Sequence, residues 1–290
     1  MTVRVMDGSG VGRAVTFGEA LIDVYPDHRV VAGAALHVAA HLAALGRETS
    51  LITRLGDDSD GALIRSTLED QGVETSLVET DPELPTGEVT ITFEGKVHSF
   101  TIHGPVAWDA IAGPDELPAH DIFCYGTLAA RDSRSRSALE RLLVASRAPI
   151  RAFDVNLRPP DVFADVVRMG LSSATVVKVS EDELGDVAAL LDFEAAPAAY
   201  FAGGHAIRWL CVTKGERGAE LHSRTGEMFS IEGPQVEVVD TIGAGDAFIA
   251  GLVDGLARGR DEASALEAAG AAAASTLATS GGLPPAPERA

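Results

Sequence analysis

The chain is expected to fold as an α/β protein, with a mostly parallel central sheet, helices on both faces and a small separate β sheet. Three observations predict this. Short apolar runs of strand character alternate with Ala/Leu-rich helical stretches along most of the chain. A hairpin pattern over residues 85–103 interrupts that alternation once. Near the C-terminal end, the glycine turn Asp240-Thr241-Ile242-Gly243-Ala244-Gly245-Asp246 opens a helix. With 290 residues, 46% of them hydrophobic, the chain is long enough for one sizeable core, and residues 1–290 read as a single domain.

Residues 14–17 open a strand, and Gly18-Glu19-Ala20-Leu21-Ile22-Asp23 reads as its continuation toward a turn at Pro26. Residues 34–45 are helical and Gly46 stops them; residues 51–55 form a strand; residues 61–71 form a helix closed by Gly72. In the hairpin, Val89, Ile91 and Phe93 alternate with Thr90 and Thr92, Glu94-Gly95-Lys96 turns, and residues 97–102 run back. Together with residues 23–32, residues 85–104 are expected to form a small sheet off the main body. Strands over 122–125, 150–155, 175–179 and 209–213 then alternate with helices over 134–147, 161–171 and 181–191. Two short strands, 219–222 and 227–231, follow. Val236-Glu237-Val238-Val239 reads as a strand entering the glycine turn, and helices over 245–257 and 261–279 finish the fold. Gly10-x-Gly12 precedes a strand, whereas a dinucleotide fingerprint follows one, so it reads as a flexible tail. The stretch after Leu283 reads as a tail disordered at its end.

The formal net charge of −20 argues against a nucleic-acid surface, which needs a basic face. Two cysteines, Cys124 and Cys211, both in apolar runs, imply buried thiols and neither a disulfide framework nor a cysteine metal site. The first residues lack the apolar run of a signal peptide, and no later stretch is long enough to span a membrane. A cytoplasmic protein with no membrane partner is the expectation.

In the glycine turn, Gly243 and Gly245 let the backbone approach a ligand, and the first helical N–H groups point at it. Such a turn holds an anion. A carboxylate in the same place, Asp246, repels a bound anion but makes sense as a base for a hydroxyl while negative charge develops beside it. Phosphoryl transfer to an alcohol needs those two parts. Read blandly, Asp246 only complements a helix dipole.

Other polar groups fall where parallel strands end: Asp23, Gly126, Asp154-Val155-Asn156-Leu157-Arg158, Lys178-Val179-Ser180, Thr213-Lys214-Gly215 and the Asp240 loop. Clusters on one rim point to one long site. Each has a plainer reading. Asp23 suits a turn, and Asp154 with Arg158 suits a surface ion pair. Ser180 with Glu183 suits a capping box, and Thr213-x-Gly215-x-x-Gly218 suits a turn before a hairpin.

The whole string Asp240-Thr241-x-Gly243-Ala244-Gly245-Asp246-Ala247-Phe248 resembles the signature of the ribokinase-like, or PfkB, carbohydrate kinases. The resemblance extends along the chain. Gly18 to Asp23 looks like the family's first motif, and Gly33 to Gly46 resembles its sugar-side helix start. Leu55-Gly56-Asp57-Asp58-x-x-Gly61 and Pro85-Thr86-Gly87 are similar to its spacers. Asp154-x-Asn156-Leu157-Arg158-Pro159 resembles the fructokinase-like branch. Lys178-x-Ser180-Glu181-x-Glu183 and Thr213-x-Gly215-x-x-Gly218-Ala219 resemble its phosphate and nucleotide segments.

The resemblance implies ATP-dependent phosphorylation of a hydroxyl on a small sugar or sugar-like acceptor, with Mg2+ as cofactor. Asp246 would be the base, and the Gly243, Ala244 and Gly245 amides the anion hole. Asp23, Gly33, His37, Asn156 and Arg158 would face the acceptor. Lys178, Ser180, Glu183, Thr213, Gly215 and Gly218 would face the nucleotide, with Glu183 acting indirectly on Mg2+. Asp240, with the segment near residues 274–282, would belong to a monovalent-cation loop for K+. The hairpin would be a lid and the contact of a homodimer. Two positions depart from the family pattern: Ala32 stands where glycine is usual, and His37 where asparagine is usual. The alternatives are a nucleoside or other ring-alcohol kinase of the same fold, and a non-catalytic sugar sensor.

Overall fold

The structure, a computed structural model, describes residues 12–94, 97–202 and 204–286. Gly10, the Gly95-Lys96 turn and the last residues of the C-terminal tail lie outside these.

In chain order the elements are β1 (Arg13–Phe17), β2 (Leu21–Val24), β3 (Arg29–Ala32), α1 (Ala34–Ala44), β4 (Glu48–Gly56), α2 (Ser59–Asp70), β5 (Val73–Glu74) and β6 (Val78–Asp81). The hairpin β7 (Gly87–Glu94) and β8 (Val97–Ile102) follows, then β9 (Ile122–Tyr125), α3 (Ser133–Ala145), β10 (Ile150–Asp154), α4 (Ala164–Ser173), β11 (Val176–Ser180) and α5 (Glu181–Leu191). The chain closes with a short α6 (Pro197–Tyr200), β12 (Trp209–Thr213), β13 (Ala219–Ser223), β14 (Met228–Ile231), α7 (Ala244–Ala257) and α8 (Glu262–Leu277).

The main sheet has the order β14-β13-β12-β11-β10-β9-β1-β4-β5, with β6 also on β4. It is parallel from β12 through β4 to β5 and β6, and β13 and β14 are antiparallel additions. Strand residues alternate between two cores. In β9, Phe123 and Tyr125 join Phe17, Leu139, Leu142, Phe153, Val177 and Tyr200 in one core. Ile122 and Cys124 join Val38, Leu42, Cys211, Phe248, Leu252 and Leu266 in the other. Period-2 alternation with apolar residues at every position is the mark of a sheet covered on both faces. Both cysteines are buried free thiols. Among the described residues no helix is long and apolar enough to cross a membrane.

A second, four-stranded sheet has the order β3-β2-β7-β8. β2 pairs antiparallel with β3 and parallel with β7, and Leu21, Ala32, Val89 and Ile91 form its own small core.

Two sequence expectations are corrected. The run through residues 14–23 is not one strand. β1 ends at Phe17 beside Ile52, and β2 begins at Leu21 in the other sheet, opposite Ala32 and Gly87. The apolar pattern continues across the break because both strands are buried. Only the glycine marks it: a Cβ on Gly18 would lie 2.7 Å from that of Ala35. Residues 236–239 are not a strand either. Val236, Val238 and Val239 are 38%, 53% and 61% exposed, and no strand lies alongside. Instead the N–H groups of Val239 and Asp240 donate to the Leu277 carbonyl at 2.8 and 3.4 Å. β-branched residues favour a ladder only where an edge is there to receive them.

Candidate active site

Parallel strands bring their carboxyl ends to one rim, and the polar groups collect there. Asp246 is the third residue of α7 and is 9% exposed. Gly243 caps the helix in the left-handed region, φ 71°, and a Cβ there would lie 2.6 Å from the Gly282 carbonyl. Only glycine fits that approach. The Ala247 amide donates to the Gly243 carbonyl at 2.8 Å, and the Ala244 amide makes a long contact of 3.4 Å with the Thr241 carbonyl. The turn leaves a helix N-terminus facing the rim, where amides and dipole favour an anion.

His37 meets Asp246 directly. It lies one turn into α1, whose start is fixed by Gly33: a Cβ on Gly33 would come within 2.5 Å of the Glu19 carbonyl. The His37 ring is 3% exposed, and its Nδ1 is 3.1 Å from Asp246 Oδ2. Among the described residues its Nε2 is buried with no partner, an arrangement costing about 1–3 kcal/mol.

Lys178, on β11, supplies the local positive charge. Its Nζ donates to both oxygens of Asp154 on β10 at 2.8 and 3.0 Å, and a Cβ added to Gly245 would lie 3.5 Å from it. An ammonium thus lies beside the start of α7. Burial pulls Lys178 down, but Asp154, Glu183 and Asp246 together hold it above its ordinary value.

Glu19, which sequence reasoning left out of the site, sits at the break between β1 and β2 and accepts from the Ala34 amide at 3.3 Å. Burial pushes its carboxyl up to about 7, with Asp246 adding to the push and Arg158 opposing it. Asp23, at the end of β2, is pushed up to about 6 by burial, against the pull of His37 and Arg158. Asp23, His37, Glu19, Arg158 and Asp246 therefore share one electrostatic neighbourhood. The signal for Glu19 was its place after Gly18, in an apolar run where an unpaired carboxylate is costly.

Asn156 takes a left-handed backbone, φ 39°, just past β10, and its carbonyl accepts from Thr127 Oγ1 at 3.3 Å. Glu183 forms the capping box with Ser180 that the spacing predicts. Its second oxygen accepts from the Leu157 amide at 2.6 Å, so it ties the β10 loop to α5. Thr213, Gly215 and Gly218 gather at the end of β12 as a separate group. Gly215 and Gly218 have φ 57° and 90°, and a Cβ on Gly218 would strike the Ile231 carbonyl at 2.0 Å. Asp240 accepts from the Ile242 and Gly281 amides, each at 3.0 Å, closing the glycine turn onto the segment after α8. Among the described residues no cluster of three or more His, Cys, Asp or Glu side chains stands ready for a metal.

A mostly parallel sheet with a second small sheet, and a carboxylate set in a glycine turn at a helix start, are the parts the resemblance to the carbohydrate kinases leads one to expect. The chain matches the pattern described as pfkB family carbohydrate kinase over residues 13–289, and it belongs to that family. It is a carbohydrate kinase, a phosphotransferase. It is 31% identical to the aminoimidazole riboside kinase of Salmonella typhimurium over 261 residues, 83% of this chain and 80% of that protein. It is 32% identical to the fructokinase of Escherichia coli over 256 residues, 82% of each. The crystal structure of aminoimidazole riboside kinase from Salmonella enterica, complexed with aminoimidazole riboside and an ATP analog, superposes with a TM-score of 0.76 at 26% identity. The match covers 93% of this chain and 94% of that one.

Proposed function

We propose that the protein transfers the γ-phosphoryl group of ATP to a hydroxyl of a small sugar or sugar-like acceptor, in the manner of its fructokinase relatives. The observation that carries this is Asp246 itself: a nearly buried carboxylate on the first turn of α7, one turn from a left-handed glycine and held by His37. The acceptor's proton passes to Asp246 as the hydroxyl oxygen bonds to the γ-phosphorus and the bond to the ADP oxygen breaks. The Gly243, Ala244 and Gly245 amides, with the α7 dipole and Lys178, take up the charge of the transferring group. Asp23, Gly33, Asn156 and Arg158 form the acceptor side, with His37 behind the base. Ser180, Thr213, Gly215 and Gly218 form the nucleotide side. Mg2+, when bound with the nucleotide, would offset the charge of its phosphates; Glu183 would act on it only indirectly, because both its oxygens already accept backbone N–H groups. Asp240 marks the loop for a monovalent cation such as K+.

The small sheet is the lid, excluding water from the transfer. Its outer strand β8 carries Phe100, 60% exposed, and makes the homodimer contact. A cytoplasmic setting agrees with two free thiols.

A panel of ketoses, aldoses, sugar acids and nucleosides, assayed for ADP release with ATP and Mg2+, tests the assignment. A sugar is expected to give turnover, and Asp246→Asn to lower it about 100-fold or more. No ADP release with any acceptor would leave a sugar sensor. One observation favours the nucleoside alternative. Tyr25, at the β2–β3 turn, stacks on His28 with ring centroids 4.4 Å apart, and lies within electrostatic reach of Asp23. That aromatic wall suits a flat ring, and the panel separates the two readings.

A further inference from the structure

We infer, on the assignment of Asp246 as the base, that His37 is a positioning residue: it fixes which oxygen of Asp246 receives the acceptor's proton. An ionised carboxylate only accepts, so Nδ1 of His37 carries the proton and donates it to Oδ2 across 3.1 Å. Oδ1, with no partner among the described residues, remains for the hydroxyl. When Oδ1 takes the acceptor's proton, Oδ2 becomes the carbonyl oxygen of the acid and still accepts from Nδ1. His37 therefore keeps its proton and its single hydrogen bond through the transfer.

The ring is backed on its other side. An added Cβ on Gly282 would approach His37 Cε1 at 3.1 Å and Ile242 Cγ2 at 2.9 Å, so the Gly282 backbone lies against both. One turn further along α1, His41 Nε2 donates to the Gly282 carbonyl at 3.0 Å. Gly281 in turn donates to Asp240, which also accepts from Ile242. Helix α1 thus grips the 281–282 turn with one histidine, and that turn holds the other against the base. With Nε2 buried and unpartnered, the one polar contact of the His37 ring among the described residues is Asp246. A side chain that reads the acceptor would keep a nitrogen open to it.

The test compares the wild type with His37→Phe, His37→Asn and Asp246→Asn. Phenylalanine keeps the ring and removes the donor. Asparagine places its amide nitrogen where Nδ1 stood. His37→Phe is expected to lower kcat about 10-fold or more for every acceptor, with KM for acceptor and ATP within about 2-fold, the pattern of lost transition-state positioning. The other charged groups facing the pair stay in place in all variants: Glu19 and Asp23 from the β1–β2 side, Arg158 and Asp154 from β10 and its loop, Lys178 from β11, and His41 on α1. His37→Asn restores kcat to within about 3-fold, again with both KM values unchanged.

Wild-type kcat in His37→Phe would overturn the inference, as would a defect confined to one acceptor, or equal losses in the Phe and Asn variants. An active Asp246→Asn would sink the base assignment itself. An inactive Asp246→Asn beside a normal His37→Phe would sink only the role of His37. Thermal unfolding is measured in parallel, and His37→Leu replaces His37→Phe in the comparison if the latter does not fold.

Discussion

Lys178 and Asp154 face each other in register on neighbouring strands, with the ammonium 2.8 and 3.0 Å from the two carboxylate oxygens and both side chains less than a tenth exposed, at 8% and 9%. Neither charge is stable there without the other, because each has left water for a low-dielectric interior.

Lys178→Met therefore strands a buried carboxylate. A loss of about 3–5 kcal/mol in unfolding free energy is expected, measured by urea denaturation. Adding Asp154→Leu should return much of that stability without returning turnover, because the positive charge beside the start of α7 is still missing. Recovery of turnover in the double variant would remove Lys178 from phosphoryl transfer.

Stability should fall as pH rises. Glu19 and Asp23 have folded-state values raised by burial to about 7 and about 6, from ordinary values of 4.5 and 3.8. The native state therefore binds these protons more tightly than the unfolded chain, and unfolding free energy declines through the window from about pH 4 to pH 7. Asp58 and Asp81, held below the usual range by backbone N–H donors against the cost of burial, act oppositely and only in more acid solution. Tm is expected to be about 5 °C higher at pH 5.5 than at pH 8. Glu19→Gln should flatten much of that slope in calorimetric scans. An unchanged slope would show that Glu19 does not take up the proton.

Gly243→Ala should cost activity more than stability. The left-handed backbone alone costs a non-glycine residue about 1–2 kcal/mol, and its methyl would press on the Gly282 carbonyl. The glycine turn must shift to relieve it, and on the proposed mechanism its displaced amides would no longer meet the transferring phosphoryl group. Turnover at least about 10-fold lower, with Tm changed by a few degrees, is the expected outcome.

Arg29→Ala probes the second sheet. Arg29 on β3 bonds both oxygens of Asp60 on α2, at 3.0 and 2.8 Å, and also pairs with Glu88 on β7. Exposed pairs of this kind contribute about 1 kcal/mol or less, so folding should persist. If the small sheet is the lid proposed above, the acceptor KM should rise about 2- to 5-fold while the ATP KM is steady, because Arg29 ties that sheet to α2. Equal changes in both constants would detach the lid from acceptor binding.

The main sheet was legible because its strands and helices carry uniform, strongly apolar patterns. α5 and β12 occur at the bounds the pattern predicts, residues 181–191 and 209–213. The capping box of Ser180 and Glu183 was legible from spacing alone, since both partners lie within one turn. What failed was partner assignment. Alternation over residues 236–239 shows what a segment can pair with, not whether an edge is available. Continuity over residues 14–23 conceals a change of sheet, because burial in either sheet selects the same residues. The contact between His37 and Asp246 joins residues 209 positions apart, and no local rule reaches that far. Glu19 escaped for a related reason: its neighbours come from α1, α7 and the β10 loop at once.

The break at residues 18–20 also sets how force travels through the molecule. There the chain leaves the large sheet for the small one, and it returns at Gly33, whose backbone lies against the Glu19 carbonyl. Two of the strand connections between the sheets thus touch at one point, within electrostatic reach of Asp246. A second tether, from Arg29 on β3 to Asp60 on α2, holds the same edge of the small sheet to the body. A strain placed on the outer sheet therefore reaches the buried carboxylate of Glu19 before it reaches the rest of the rim.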